Sequence, residues 1–510
     1  MPAKIYSASV LGLECQTIEV EVDISPGLHK FTIVGLPDTA VQESKQRVSS
    51  AIKNSQAVPP RRSHVITVNL APADIKKQGP AYDLAIAIGY LIASNQINFI
   101  TKDKIFLGEL ALDGNLRPVK GVLPISLMAK DKGFKKIFVP KQNAKEASLV
   151  PNIKVIPVQS LKETISHLTG NKKIKPEPCL NISKFYHTQE AFTCDMKYIK
   201  GQEQAKRGLE ISAAGAHNIL FFGPPGSGKT LLARSLSSIL PKLNLEEALE
   251  VSKIFSISGK LYGNKPLITT RQFRSPHHSA SAIALVGGGS WPKPGEITLA
   301  HRGVLFLDEF PEFQRQALES LRQPLENGFI EVSRAAYNVI FPARFILVTA
   351  MNPCACGFLG DKEKNCICTT GTVSRYLKKI SGPLLDRIDI HLEVPRIKYD
   401  KLVSEEQAES SDKIRNRVEQ ARKIQEQRLK KTNFLTNSEI PAQLIKEHCK
   451  LDNTSSNLMR QAVEQLQLSG RSYHRILKIS RTIADLENIN NIKSRHIAEA
   501  LQYRPKRFEI

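Results

Sequence analysis

The clearest chemistry in this sequence sits in a glycine-rich turn between an apolar run and an amphipathic one. In HNILFFGPPGSGKTLLARSLSSIL (217–240) the residues Gly223, Pro224, Pro225, Gly226, Ser227, Gly228, Lys229 and Thr230 give the spacing Gly-x-x-x-x-Gly-Lys-Thr. Glycines let consecutive backbone N–H groups converge on phosphate oxygens, and the start of the following helix adds the positive end of its dipole. Lys229 would reach the β- and γ-phosphates of a nucleotide, and Thr230 would ligate Mg²⁺. Such a site also needs a carboxylate near the metal, and Val304-Leu-Phe-Leu-Asp308-Glu309 supplies one behind four apolar residues. Asp308 would hold Mg²⁺ through water, and Glu309 would polarise the attacking water. A third apolar run, ARFILVTAMNP (343–353), ends on Asn352, where an amide could touch the γ-phosphate or orient water. Taken alone, Asn before Pro also suits the start of a turn.

A second group of reactive side chains lies just beyond. Four of the eight cysteines fall in residues 354–368, as Cys354-Ala-Cys356 and Cys366-Ile-Cys368 with nine residues between the pairs. Four thiols on one loop suit a tetrahedral Zn²⁺, although C-x-C is tighter than the usual C-x₂₋₄-C. Free thiols and redox chemistry are the other readings. Cys15, Cys179, Cys194 and Cys449 are scattered.

These groups need elements to position them. Strand-like and helical runs alternate from His217 to about Val394, which implies a parallel sheet with crossovers. Before it, FTIVGL (31–36), HVITVNL (64–70) and KKIFVP (135–140) read as strands, and YDLAIAIGYLIAS (82–94) as a buried helix. Residues 1–170 are therefore expected as an α+β domain, 171–195 as a linker, 196–398 as the nucleotide-binding core and 399–510 as a helical domain. The 510 residues are 41% hydrophobic and 24% charged, which excludes a disordered chain. With 72 Lys+Arg against 49 Asp+Glu the formal charge is +23, which favours a polyanionic partner or serves solubility alone. No signal-peptide pattern opens the chain and no run of about 18 apolar residues occurs. A reducing, cytoplasmic location with no membrane contact is expected.

The P-loop, the acidic pair and Asn352, in that order, resemble the AAA+ ATPases, with Asn352 at the sensor 1 position. Longer stretches narrow the likeness: RQFRSPHHSASAIALVGGGSWPKPGEITLAHRGVLFLDEF (271–310), VSRAAYNVIFPARFILVTAMNPCACGFLGD (332–361), SGPLLDRIDIH (381–391) and SGRSYHRILKISRTIADLE (469–487). They are similar to the ComM/YifB family of magnesium-chelatase-like AAA+ proteins over nearly the whole chain. The resemblance implies an α/β P-loop AAA+ core with a helical C-terminal lid, ATP and Mg²⁺ as ligands, and an insertion in helix 2, for which the 79 residues from Lys229 to Asp308 leave room. It makes Arg387 the arginine finger that reaches a neighbouring subunit's γ-phosphate. Standing between Asp386 and Asp389, Arg387 could equally form an ion pair within its own subunit. Arg471 matches sensor 2, with Arg475 one turn on as the competitor. Segments 284–296 and 332–340 correspond to loops lining a central pore, and Lys293 and Arg334 are the cations there that could meet DNA. His277 and His278 are read as structural.

Residues 1–170 resemble the Lon-protease-like domain, a ribosomal-protein-S5-type α+β fold, through QGPAYDLAIAIG (78–89) and LGELALDGNLRPVKGVLP (107–124). The protease dyad is missing: Ala81 follows Gly79-Pro80, and Leu123 stands where the lysine is expected. The family implies a ring, as a homohexamer, that uses ATP to move along single-stranded or branched DNA, since members are implicated in branch migration during natural transformation. A chelatase-type ATP-driven protein remodeller is the alternative. An ATP-dependent peptidase is disfavoured by Ala81, and a nucleotide-binding scaffold without turnover by Glu309 and Arg387 together.

Overall fold

The computed structural model describes residues 2–60, 63–181, 194–261, 265–289, 291–334, 337–361, 363–397, 408–432 and 434–505. Residues 182–193 of the expected linker, the start of the expected lid and the side chain of Arg334 lie outside the described residues. The chain forms two compact units, one of residues 1–189 with 245–269 and the other of residues 190–244 with 270–510.

In the first unit the β-branched runs build a seven-stranded mixed sheet. Its spatial order is Lys30–Val34, His64–Ala71, Glu14–Pro26, Ala3–Leu11, Lys104–Phe106, Lys136–Pro140 and Lys154–Val158. Strand Glu14–Pro26 alternates buried and more open residues over Ile18–Val22, while its antiparallel partner Ala3–Leu11 is buried continuously at Ser7, Ala8 and Ser9. Helix Asp83–Ala93 covers it; Gly89 lies so close that a β-carbon there would come within 2.6 Å of Val22. Ala81 is partly buried against an apolar cluster and Leu123 is fully buried. Helix Leu245–Ser258, from the long stretch between Lys229 and Asp308, packs against helix Val122–Asp131 of this unit. The buried Glu146 carboxylate accepts from Leu123 N at 2.9 Å, from Asn143 Nδ2 at 3.2 Å and from the Ser256 hydroxyl.

In the second unit five strands run parallel in the order Phe273–Arg274, Val304–Leu307, Ile346–Met351, Ile219–Phe222 and Ile390–Glu393. Val304–Leu307, Ile346–Met351 and Ile219–Phe222 are buried throughout, because helices cover both faces. The residue that follows each of them is Asp308, Asn352 and Gly223 respectively. Parallel order thus delivers all three expected site segments to one edge of the sheet.

The C-terminal helices share this unit's core: Ile414, Val418, Ile476 and Ile483 belong to the same apolar cluster as Phe221, Leu232 and Val348. Helix Ser411–Leu429 sends Arg415 to the Ser238 carbonyl and Arg422 to that of Ala213, satisfying acceptors at the ends of helices Lys229–Ile239 and Glu203–Gly215. A buried polar chain reinforces the joint. His217 bridges Asp389 at 3.1 Å and Thr482 at 2.9 Å, Asn437 bonds Thr482 and Asp485, and Asp485 receives both Arg428 and Arg481. Asp485 is fully buried and pairs with two guanidinium groups. Asp485→Ala is expected to lower the stability of this unit by about 3–5 kcal/mol, the usual cost of leaving buried charge unpaired, read as a shifted denaturant midpoint.

Candidate functional site

The site grows out of the edge where the strands end. Gly226 and Gly228 take left-handed backbone angles, φ +77° and +90°, and among the described residues nothing lies within 4 Å of where a β-carbon would stand on either. The turn is thus an open cradle whose shape only glycine holds at low cost. Helix Lys229–Ile239 starts directly behind it, aiming its unpaired N–H groups inward. Inside the turn the Ser227 hydroxyl is buried with no hydrogen-bond partner among the described residues, an acceptor-donor group left for a ligand.

Lys229 is the charged centre. Its Nζ donates to the carbonyls of Gly223 and Pro224, each at 2.8 Å, and to Asn352 Oδ1 at 3.1 Å. Burial pulls the ammonium down to about 8, and the Asp308 carboxylate offsets part of that. Three neutral acceptors hold the cation; phosphate oxygens would replace them with full negative charge. Beside it Thr230 Oγ1 donates to Asp308 Oδ2 at 2.7 Å. Two hard oxygens this close, next to the cradle, fit a Mg²⁺ ion, which takes few protein oxygens and keeps its remaining positions for water and phosphate. The lysine, threonine, aspartate and asparagine expected from the sequence therefore meet in one place.

Glu309 turns away from the strand in a left-handed conformation, φ 51°, and its carboxylate is half exposed. His278, read from the sequence as structural, places Nδ1 at 2.9 Å from Glu309 Oε2, and its ring lies 4.1 Å from that of His277. This contact was not legible in the sequence, because two adjacent histidines carry no spacing signal and the pair spans 31 positions. The contact ties the Glu309 carboxylate to His278 at the rim of the site.

Arg387 lies elsewhere. Its carbonyl accepts from Asn218 Nδ2 at 3.0 Å, and Asn218 precedes strand Ile219–Phe222 while the cradle follows it. At about 3.3 Å per residue, Asn218 and Gly223 stand some 16 Å apart. Arg387 is at the opposite end of the strand from its own cradle. Its partner is neither Asp386 nor Asp389, since Asp389 is taken by His217. Instead Arg387 Nη2 meets Glu326 Oε2 at 2.5 Å, and Nη1 donates to the Pro383 carbonyl at 2.6 Å. Arg471 Nη2 reaches the other oxygen of Glu326 at 3.3 Å. Arg475 is buried and donates to the Ile388 carbonyl at 2.9 Å, a structural task that leaves Arg471 as the exposed arginine of the two.

The four cysteines converge. Cys354, Cys356 and Cys366 have Sγ–Sγ separations of 3.4 to 3.6 Å, and all four sulfurs, Cys368 included, lie within 4.8 Å of one another. A tetrahedral zinc with Zn–S near 2.3 Å requires sulfurs about 3.8 Å apart, so the donor set and its size fit that ion. Backbone N–H groups of Phe358 and Ile367 hold the Cys356 thiol down to about 6, while burial and the neighbouring thiols push those of Cys366 and Cys368 up, the pattern of crowded thiols sharing one charge. The loop abuts the cradle: a β-carbon on Gly357 would come within 2.8 Å of Pro225. Further along, the hairpin Phe329–Arg334 with Tyr337–Pro342 stands beside the short ladder Gly287–Gly288 with Lys293–Pro294, and Trp291 meets Tyr337 edge-on at 5.8 Å. Lys293 is exposed on that ladder.

Three family models match the chain: "Magnesium chelatase, subunit ChlI" over residues 195–402, "Subunit ChlI of Mg-chelatase" over 20–143 and "Magnesium chelatase, subunit ChlI C-terminal" over 408–504. The chain is 44% identical to the competence protein ComM of Haemophilus influenzae over 506 residues, 98% of this chain and 97% of that one. It is 43% identical to the protein YifB of Escherichia coli over 98% of this chain and 96% of that one. A Lon protease of Rhizobium meliloti is 28% identical over 30% of this chain and 20% of its own length, so that likeness is partial.

The lowered value at Lys229 sets a pH dependence. Phosphate stabilises the ammonium form, so a nucleotide binding above pH 8 takes up a proton and the affinity falls as pH rises through about 8. Titration of a fluorescent ATP analogue between pH 7 and 9.5 is expected to show up to about tenfold weakening per pH unit above that point. In Lys229→Arg, whose guanidinium stays charged, the slope is expected to vanish.

Proposed function

We propose, from the premise that the chain belongs to the ComM/YifB family of magnesium-chelatase-like AAA+ proteins, that it is an ATPase working as a ring and coupled to DNA. The observation that carries the ring is Arg387: an arginine fixed at the far end of the strand from its own cradle can complete only another subunit's site. Coupling to DNA draws on the formal charge of +23 and on the competence role in the name of the Haemophilus relative.

In this reading ATP lies in the turn Gly223–Thr230. Lys229 exchanges its carbonyl partners for the β- and γ-phosphates, and Asn352, released from Lys229, turns to the γ-phosphate or to water. Mg²⁺ on Thr230 and Asp308 neutralises charge on the phosphoryl oxygens. Glu309 orients and polarises the attacking water, with His278 in contact with its carboxylate. Arg387 of the adjoining subunit meets the charge that develops on the transferring group, a contribution of about 10³–10⁵ in rate where such fingers act. Residues 196–398 supply the phosphate site, 399–510 act as the lid carrying Arg471, 171–195 link, and 1–170 serve as a Lon-like domain without peptidase chemistry. A homohexamer would set the hairpins bearing Lys293 and Arg334 around single-stranded or branched DNA. Among the described residues no helix is long and apolar enough to cross a membrane, and the reading places the protein in the cytoplasm.

Zn²⁺ on Cys354, Cys356, Cys366 and Cys368 is a structural part of this proposal, pinning the loop that abuts Pro225. Metal analysis of the purified protein is expected to give about one zinc per chain, lost in Cys366→Ser/Cys368→Ser. Four native thiols reacting freely with a disulfide reagent, and no metal, would return the cluster to plain thiols.

The deciding assay is the ATPase rate with and without single-stranded and branched DNA at two salt concentrations. Many-fold stimulation is expected, weaker at high salt, with Glu309→Gln slower by about 10²–10⁴. Lys229→Ala should abolish turnover and leave the fold intact. A basal rate indifferent to every DNA overturns the motor and favours the chelatase-type remodeller.

A further inference from the structure

Glu326 has no place in the expected site, yet it gathers two residues that do. It stands on the short helix Arg322–Asn327; Arg387 follows the turn Gly382–Leu385, and Arg471 opens helix Gly470–Leu486. Three separate parts of the chain, 61 and 145 positions from Glu326, thus converge on the two oxygens of one carboxylate. Both guanidinium groups need that carboxylate for physical reasons. Placed this close they repel each other, and Arg471 sits in the first turn of a helix, where the dipole disfavours a cation. Arg387 is only 9% exposed, and its Nε is buried without a partner among the described residues. The arginines in turn hold the Glu326 carboxyl below its usual range, Arg387 contributing most.

We propose that Glu326 is a positioning residue for ATP hydrolysis, holding Arg387 and Arg471 as one paired cation that serves the phosphate site of the adjoining subunit. The inference rests on the ring reading above, and it goes further in two respects. Arg471 acts together with Arg387 on the neighbour's nucleotide and not on the cradle of its own subunit, and the pair works only while Glu326 keeps the two charges together. A lone guanidinium can neutralise one phosphate oxygen; a fixed pair meets two, with one negative charge on Glu326 to keep the pair from splaying.

The test mixes subunits. Glu326→Gln keeps the shape of an exposed side chain and removes its charge; its affinity for a fluorescent ATP analogue is expected to stay within about twofold of the parent, because the cradle is untouched. Its ATPase rate is expected to fall at least tenfold. Mixed with Glu309→Gln, which turns over ATP only slowly but keeps Glu326, Arg387 and Arg471, it should recover activity severalfold above either variant alone. Arg387→Ala mixed with Glu309→Gln is the control for the ring. Recovery in both mixtures supports the proposal. Recovery in the control with none for Glu326→Gln overturns the proposal and leaves the ring standing. Failure of the control overturns the ring reading and this inference with it. A Glu326→Gln rate equal to or above the parent's makes the contact neutral or inhibitory and also overturns it.

Discussion

All five strands of the ATPase sheet run the same way, so the carboxyl ends of Val304–Leu307, Ile346–Met351 and Ile219–Phe222 share one edge and their amino ends share the other. That polarity decides which side chains can meet. Gly223, Asp308 and Asn352 leave the sheet side by side, so Lys229 and Thr230 find their partners within one hydrogen bond. Asn218 marks the other edge. Its amide donates to the Arg387 carbonyl and accepts from Leu347 N, while its own carbonyl accepts from Asp389 and Ile390. One residue thereby ties three strands together and fixes the arginine far from the nucleotide of its own chain.

Keeping the two edges distinct needs a stiff sheet, and the C-terminal helices supply part of that stiffness. Their apolar residues complete the same core as the strands, and the chain His217, Thr482, Asn437, Asp485 and Arg428 crosses the junction through consecutive hydrogen bonds. Helix Gly470–Leu486 carries Arg471 at one end and Thr482, Asp485 and Arg481 deeper in. A shift of that helix therefore moves an exposed cation and a buried network together. This is the kind of element that can pass a change at the phosphate to the rest of the unit.

The sequence disclosed the cradle because each of its parts follows an apolar run: phosphate-binding backbone, metal-side carboxylate and sensor amide all announce themselves by local context. The resemblance to a known family added Arg387 and Arg471, whose surroundings say nothing by themselves. What stayed hidden depends on distant pairings. His278 and Glu326 are ordinary polar residues in sequence, and only the folded chain brings them to Glu309 and to the two arginines. His278 is expected as structural without a partner being named, and the fold supplies that partner in Glu309. The passage of Leu245–Ser258 into the first unit was also illegible: a long gap before Asp308 signals an excursion but not its destination.

That passage bears on the order in which the protein can be completed. The carboxylate of Glu146 is buried among Leu123, Asn143 and Ser256, and the helix bearing Ser256 covers helix Val122–Asp131. A ribosome delivers residues 1–189 well before 245–269, at about 5–20 residues per second. For the intervening seconds the first unit lacks one wall, and the Glu146 carboxylate stands open to water with Leu123 and Asn143 as donors but without Ser256. Between those two deliveries the ribosome makes the strand and helix that flank the phosphate cradle. The nascent chain thus begins the second unit before it can finish the first, and the two mature as interleaved parts of one synthesis and not as successive beads on a string.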